Sequence, residues 1–96
     1  MRITTLTIED IFYVQGRGVV VKSTLDDPEI EITTSHKVHT LSTGNHPAVE
    51  FDIIGVERFL KMTDPPRPSS EIALNLGGID YDTYKWLKGK QIIITD

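Results

Sequence analysis

The sequence predicts an all-β domain, and three observations support this prediction. Apolar and polar residues alternate with period two along most of the chain, as they do in half-buried strands. No long apolar stripe with the helical period of about 3.6 residues interrupts this pattern. Turn-forming residues separate the alternating segments, in QGRG at 15–18, LDDP at 25–28, STGNHP at 42–47, TDPPRPSS at 63–70 and GG at 77–78. Short strands at this spacing are typical of a small barrel or a sandwich.

Several segments of the chain are predicted to be strands. In order they are Leu6–Val14, Gly18–Ser23, Glu29–Thr34, Lys37–Leu41, Val49–Phe59, Glu71–Leu76 and Gln91–Thr95. The alternation changes phase at Asp10 and again near Ile53–Gly55, where a β-bulge would let one long strand serve two parts of a curled sheet. The one helical hint is a short turn within Ile79–Lys88, which Gly89 is expected to end.

Length and composition limit the possible classes of protein. A chain of 96 residues is expected to form a single domain, residues 1–96. It contains no apolar run of membrane-spanning length, and the initial segment MRITTLTIED lacks the apolar stretch of a signal peptide, so we expect a cytoplasmic protein without a membrane partner. The absence of cysteine excludes disulfides, thiolate metal sites and cysteine nucleophiles. The formal net charge of −4 provides no overall attraction to nucleic acid, and no DNA partner is expected.

A glycine-framed arginine follows the first predicted strand. Arg17 lies between Gly16 and Gly18, which permit backbone angles that other residues resist. We expect a tight hairpin in which Arg17 folds back onto a carboxylate or a carbonyl, in preference to binding a ligand directly. A phosphate loop is excluded, because this segment is short, lacks a Lys-Ser/Thr pair and opens a strand instead of a helix.

Aromatic residues and lysines alternate near the end of the chain, in YDTYKWLKGK. Tyr84, Lys85, Trp86 and Lys88 could stack bases and hold phosphates, so a nucleic-acid contact is expected here first if there is one anywhere. Arg17 is a further possible contact with nucleic acid. The preferred interpretation is that Trp86 closes one end of the barrel while the lysines are solvated.

Other clusters predict no catalytic or metal chemistry. His36 and His39 would point to opposite faces of a strand, so these two and His46 are expected at the surface and no metal site is predicted. The acidic residues in Asp27–Glu31 are interpreted as a charged outer strand face, and TDPPRPSS as a stiff connector. The sequence has no Ser-His-Asp arrangement with a supporting elbow and no cofactor fingerprint, so neither an enzyme nor a cofactor is expected.

Three segments resemble one known family. IEDIFYVQGRGVVV at 8–21, IIGVERF at 53–59 and SSEIALNLGGIDYDTYKWLKGKQIIITD at 69–96 are similar, in order, to the second, β-barrel domain of translational GTPases such as elongation factor Tu. In that family a Glu-Asp-Val-Phe run leads through Gly-Arg-Gly into a valine-rich strand, and a Gly-Val-Glu-Met-Phe segment follows. The resemblance implies a small closed six-stranded Greek-key β-barrel. The sequence has no P-loop and too few residues to house a GTPase domain, so we expect the barrel to stand alone and to bind no nucleotide.

The resemblance also implies a binding cleft. In elongation factor Tu this domain helps to hold the terminal adenosine and aminoacyl group of charged tRNA. The matching positions are Val14, Gly16 and Val20 as the apolar wall and Glu57 at the adenosine. Glu71 stands where the family has an asparagine near the aminoacyl amine, and Asn75 stands where it has an apolar residue.

Two functions are therefore expected. The first is a non-catalytic, stand-alone binding module whose partner is RNA or a protein of the translation machinery. The alternative is a protein–protein adaptor or small structural subunit with no nucleic-acid role, which the net charge, Glu71 and Asn75 favour. Salt would distinguish them, because RNA binding weakens steeply as salt rises and an apolar protein interface does not.

Overall fold

Six antiparallel strands close into a barrel in a computed structural model, which describes residues 3–95 apart from the side chains of residues 60, 61 and 68. The strands are β1 (Ile3–Val14), β2 (Gly18–Thr24), β3 (Lys37–Thr40), β4 (Glu50–Lys61), β5 (Arg67–Gly77) and β6 (Gln91–Thr95). A short helix, α1 (Tyr81–Tyr84), and a 3₁₀ turn (Lys85–Leu87) lie between β5 and β6. Around the barrel the order is β1-β2-β5-β4-β3-β6, and β6 pairs with β1 to close it. The all-β class and the closed six-stranded barrel are confirmed, while Greek-key connectivity stays a prediction.

The first hairpin begins the barrel. Gly16 and Gly18 have φ angles of 86° and 92°, which favour glycine, and the Arg17 amide donates to the Val14 carbonyl at 2.9 Å. This tight turn sets β1 and β2 in register from Val14 opposite Gly18 to Ile8 opposite Ser23.

Register shifts bend the two longest strands. One lies between Ile8 and Asp10 in β1, and another lies between Ile53 and Gly55 in β4, as the two changes of phase predict. A third shift, between Arg58 and Leu60, was not expected from the sequence. Such bends let a strand turn around the barrel without losing its pairing.

The core fills the inside of the barrel with branched aliphatic side chains. It includes Ile8, Val21, Val38, Leu74 and Ile92, all of them buried. Residues after β5 cover one end: Leu87 is buried in the core cluster, and the Asp80 side chain caps α1 by accepting from the Thr83 amide at 3.2 Å. The predicted short turn, ended by Gly89 at φ 83°, is confirmed.

The predicted strand Glu29–Thr34 is wrong, because this segment is turn and loop. Its backbone groups bond locally or to a side chain instead of a neighbouring strand: the Ile30 amide donates to the Asp27 carbonyl at 3.1 Å, and the Arg58 guanidinium donates to the Ile30 carbonyl at 2.9 Å. The apolar alternation arose because Ile32 is buried and Ile30 packs against the core from a loop. The acidic residues there do not share a strand face.

The connector before β5 is shorter than predicted. TDPPRPSS does not stay outside the sheet over its whole length, because β5 begins at Arg67 and pairs Arg67 with Lys61. Among residues 3–95 no helix has the length and apolar character needed to cross a membrane.

Candidate functional site

The residues that the resemblance assigns to a cleft lie on the outside of the barrel. Two cross-strand rows run over β2, β5 and β4: Val20 pairs with Asn75, which pairs with Gly55, and Lys22 pairs with Ala73, which pairs with Glu57. We call these six positions, together with Arg17 above them, the outer face. Adjacent strands therefore bring together residues that are far apart in the chain.

An ion pair lies across the outer face. Arg17 Nη2 is 2.5 Å from Glu57 Oε1, and both side chains are about half exposed, which confirms that the turn arginine folds onto a carboxylate. Val20 and Ala73 are only 7% and 9% exposed, yet neither belongs to the core cluster. They form a small apolar centre on the outside of the barrel beside this ion pair.

The depression between these residues is very small. Arg17, Val20, Gly55, Glu57, Ala73 and Asn75 line a recess of about 10 Å³. This is about the space that one water molecule occupies. In this conformation the outer face is a nearly flat surface with one shallow recess.

The other cleft residues predicted from the resemblance lie further away. Glu71 pairs with Thr24 at the opposite end of the β2–β5 ladder from Leu76, and its side chain is exposed. Val14 and Gly16 lie at the hairpin and do not line the recess. The structure thus brings Val20, Glu57 and Asn75 together and leaves Val14, Gly16 and Glu71 around them.

Asn75 contributes a buried acceptor to the recess. Its Oδ1 atom is buried, and no donor among the described residues reaches it. The neighbouring Gly55 makes room for this side chain, since an added Cβ there would already lie 3.4 Å from Asn75 Cβ. A buried polar atom without a partner is uncommon in folded proteins.

The aromatic residues of the predicted nucleic-acid contact are engaged within the protein. The His46 and Trp86 rings stack with centroids 3.8 Å apart and planes at 12°, and the Tyr84 ring meets Phe51 edge-on at 5.0 Å. Both Tyr84 and Trp86 also pack against the core. Trp86 therefore helps to cover the barrel end, and the sequence contained no signal for its pairing with His46.

The lysines of that segment differ in their surroundings. Lys88 Nζ lies 3.6 Å from Asp10 Oδ1. Lys85 is exposed, and among residues 3–95 no carboxylate forms an ion pair with it. A contact between this segment and nucleic acid stays a prediction.

Two larger clefts flank the segment that follows β5. We call the first the tyrosine cleft: it has a volume of about 330 Å³ and is lined by Tyr13, Ile79, Asp80, Tyr81 and Asp82. The second has a volume of about 270 Å³ and lies between the end of β3 and the start of β6, with Leu41, Trp86 and Lys90 among its lining residues. The sequence did not predict either cleft, because the lining residues come from segments far apart in the chain.

The histidines are half-buried and lie apart from any metal-like cluster. His39 Nε2 lies 2.8 Å from Thr95 Oγ1, and His39 Nδ1 lies 3.6 Å from Glu50 Oε2. Within the described part of the chain, no three side chains of histidine, aspartate or glutamate are grouped as metal ligands.

The pKa of Lys37 is raised by a neighbouring carboxylate. The Lys37 ammonium group donates a hydrogen bond to the Asp52 carboxylate. This hydrogen bond and the electrostatic attraction of the negative Asp52 carboxylate raise the pKa of Lys37. The pair joins β3 to β4 at the surface and lies outside both the outer face and the tyrosine cleft.

No protein-family model matches the chain.

Proposed function

We propose that the protein is a non-catalytic binding module of the translation-factor barrel type, whose outer face docks a protein partner. One observation supports this most directly. The Arg17–Glu57 ion pair occupies the face that the resemblance assigns to the adenosine of charged tRNA, beside a recess of about 10 Å³. A nucleoside cannot enter such a recess, whereas a flat surface suits a second protein.

The surroundings of the outer face fit a protein interface. Val20 and Ala73 form an apolar centre, and the charged Lys22, Arg17 and Glu57 lie around it. Phe12 pairs with Val20 on the adjacent strand and is exposed. Because Val20 and Ala73 are already largely buried, the exposed apolar surface of this face comes from Phe12, and an aromatic residue with a polar rim is typical of protein–protein interfaces.

RNA is the competing partner class, and two contacts weigh against it. One face of the Trp86 ring is occupied by His46, and the Lys88 ammonium lies near Asp10. Base stacking needs a free aromatic face, and phosphate binding needs uncompensated positive charge, which within residues 81–90 remains on Lys85 and Lys90. The net charge of −4 acts in the same direction.

Site-specific photo-cross-linking tests the proposal. The protein is expressed in the cells from which it comes, with a photoreactive benzophenone amino acid in place of Phe12. Illumination should produce discrete cross-linked adducts with a partner, and protease but not nuclease should digest the partner in them. The charge reversal Glu57→Arg should abolish these adducts, because it replaces the ion pair by two like charges at the interface. The same cross-linker at Ile3, exposed elsewhere on β1, is the matched control and should not form them.

A titration with RNA, followed by NMR, could contradict the protein-docking proposal. Single-stranded RNA and charged tRNA should leave the amide spectrum of residues on the outer face unchanged at physiological salt. Shifts at Val20, Glu57 and Asn75 that weaken steeply with salt would overturn the protein proposal and support an RNA module. Adducts at Phe12 that nuclease removes would lead to the same conclusion.

A further inference from the structure

The tyrosine cleft combines aromatic rings with acidic groups. Tyr13, at the end of β1, is 61% exposed, which is high for an aromatic side chain in a strand. Tyr81, in α1, lines the same cleft of about 330 Å³ and is half-buried against the core. Ile79 adds an apolar wall. The cleft is therefore anchored on one side to the core and open on the other.

The carboxylates of the cleft have unused capacity to accept hydrogen bonds. Asp80 Oδ2 accepts from the Thr83 amide at 3.2 Å and from Thr83 Oγ1 at 2.6 Å, while Oδ1 has no donor among the described residues. Asp82 is exposed, and no lysine or arginine within residues 3–95 forms an ion pair with either aspartate. The cleft is thus negatively charged and has no internal counter-ion.

The combination of tyrosine rings and carboxylates in the cleft favours the binding of a planar cation. A guanidinium group stacks on tyrosine rings and donates several hydrogen bonds in its plane to carboxylates, whereas an ammonium group acts as a compact, strongly hydrated charge. Phosphates and other anions would be repelled by the two aspartates. The volume is at the lower end of the range for ligand sites, roughly 300 Å³, and so admits a single side chain.

We propose that the tyrosine cleft binds an arginine side chain presented by a protein partner. The proposal rests on the proposed function in one respect, since the arginine belongs to a docked protein. Tyr13 follows Phe12 directly on β1, but adjacent side chains of a strand point to opposite faces, so the tyrosine cleft is a separate surface from the outer face. The guanidinium stacks against the tyrosines and donates to Asp82 and to the Oδ1 atom of Asp80.

A titration with a capped glycine–arginine–glycine peptide, followed by NMR, tests the proposal. The amide and aromatic signals of Tyr13, Ile79 and Tyr81 should shift in the millimolar range. A peptide with citrulline in place of arginine has nearly the same shape without the charge and should bind at least about threefold more weakly, as expected for loss of a partly exposed ion pair. Equal binding of both peptides, or no shift with either, would overturn the proposal.

Variants locate the site. Asp82→Asn should weaken the binding of the arginine peptide about twofold to fivefold, since it removes one partly exposed charge. Tyr13→Leu keeps an apolar residue in the strand but removes the ring face, and it should weaken binding by a similar factor. Asp26→Asn, an exposed acid in a distant turn, is the matched control and should change nothing. Unchanged binding in both cleft variants, with spectra that show them folded, would refute the site.

The two proposals fail separately. Loss of peptide binding at the cleft while cross-links at Phe12 persist would remove the arginine proposal and leave the protein-docking module. Peptide binding at the cleft without any protein cross-link at Phe12 would support the arginine site. It would also show that the partner does not dock on the outer face. Titration with oligouridylate should leave the cleft signals unshifted, and a shift there would contradict the charge argument.

Discussion

The imidazole of His46 lies flat on the indole of Trp86, with ring centroids 3.8 Å apart and planes inclined by 12°. The two residues are far apart in sequence, so this contact ties the loop after β3 to the 3₁₀ turn that covers the barrel end. It also occupies one face of the single tryptophan. Trp86 is therefore a structural residue and a built-in fluorescent reporter of this end of the barrel.

Removing this stack should loosen the barrel end. We expect His46→Ala to lower the free energy of unfolding by about 0.5–1.5 kcal/mol, the usual contribution of a stacked aromatic pair. The Trp86 emission should also shift to longer wavelength, because the indole becomes more exposed to water. Urea unfolding followed by Trp86 fluorescence measures both effects. An unchanged emission maximum would mean that His46 does not shield the indole in solution. His36→Ala, outside the stack, is the control for the emission maximum alone, since the His36 ring itself accepts a hydrogen bond from the Thr33 amide at 3.0 Å.

Arg58 holds the loop that was expected to be a strand. Its guanidinium donates to the carbonyls of Ile30 at 2.9 Å, Pro28 at 2.8 Å and Ser69 at 2.8 Å. Arg58→Met keeps much of the side-chain length but leaves these acceptors unpaired. We expect a loss of about 2–4 kcal/mol in the free energy of unfolding, since each such bond comes from a charged donor.

The matched control for Arg58 is the exposed Arg67, for which no side-chain bond is seen among the described residues. Arg67→Met should change the free energy of unfolding by less than about 0.5 kcal/mol. Equal effects of the two substitutions in urea titrations would contradict the role given to Arg58. Hydrogen exchange should in addition show faster exchange around Ile30 in Arg58→Met only, since the loop has lost its attachment.

Gly77 and Ile54 are coupled across β4 and β5. A Cβ atom added at Gly77 would lie 2.9 Å from Ile54 Cγ2, which is too close, although Ile54 is 57% exposed and can move. We expect Gly77→Ala to cost about 1 kcal/mol in the native sequence, the order of a mild overpacking. In an Ile54→Ala background the clash is gone, and the same change should be neutral or stabilising by about 0.5–1 kcal/mol, because alanine restricts the unfolded chain.

A double-mutant cycle measures this coupling directly. The four free energies of unfolding for the native protein, the two single variants and the double variant should give an interaction energy above about 0.5 kcal/mol. Additive effects would show that Ile54 does not contact position 77. Gly44→Ala, where an added Cβ meets nothing within 4 Å, is a control for the general effect of replacing glycine.

The Lys37–Asp52 ion pair predicts a dependence of stability on alkaline pH. The pair raises the pKa of Lys37 in the folded protein, first through the hydrogen bond and then through the attraction of Asp52. Its stabilisation is therefore fully present below the unfolded lysine pKa of about 10.4 and is lost as the pH rises through the higher folded value. Lys37→Gln should be less stable than the native protein at neutral pH by a small amount, since both groups are exposed.

The measurement is the difference in urea midpoint between the native protein and Lys37→Gln, taken at neutral pH and above pH ~10.4. The difference should shrink at the alkaline end as the native ammonium group loses its proton. Lys90→Gln serves as the control, because Lys90 forms no ion pair among residues 3–95. A difference that stays constant across this window would argue against the ion pair as its source.

The local alternation of apolar and polar residues was sufficient to predict the strands that are bounded by clear turn-forming residues. The hairpin around Arg17 and the phase changes near Asp10 and Ile53–Gly55 were predictable, because glycine geometry and period-two alternation are properties of neighbouring residues. The loop at 29–34 was not predicted, since its alternation came from two isoleucines that reach the core without any strand pairing. A pattern of burial does not by itself reveal which groups receive the backbone hydrogen bonds.

The candidate sites could not be predicted from the sequence alone. The turn arginine was expected to find a carboxylate, but the pattern did not identify Glu57, which lies forty positions along the chain and reaches Arg17 only because β4 and β2 both pair with β5. The tyrosine cleft likewise joins segments that are far apart in the chain, the end of β1 and residues 79–82. No local signal distinguishes Tyr13 from an ordinary strand residue.

The sequence by itself determined the all-β class, the positions of the tight turns and the absence of cysteine chemistry, since each depends on residue type and near neighbours. Only the tertiary structure decided that the sheet closes, that Arg17 and Glu57 meet over a recess too small for a nucleoside, and that Trp86 lies under His46. The physical reason is that these contacts join segments that are not neighbours in sequence, and the order in which such segments meet is set by packing of the whole core and not by any one segment.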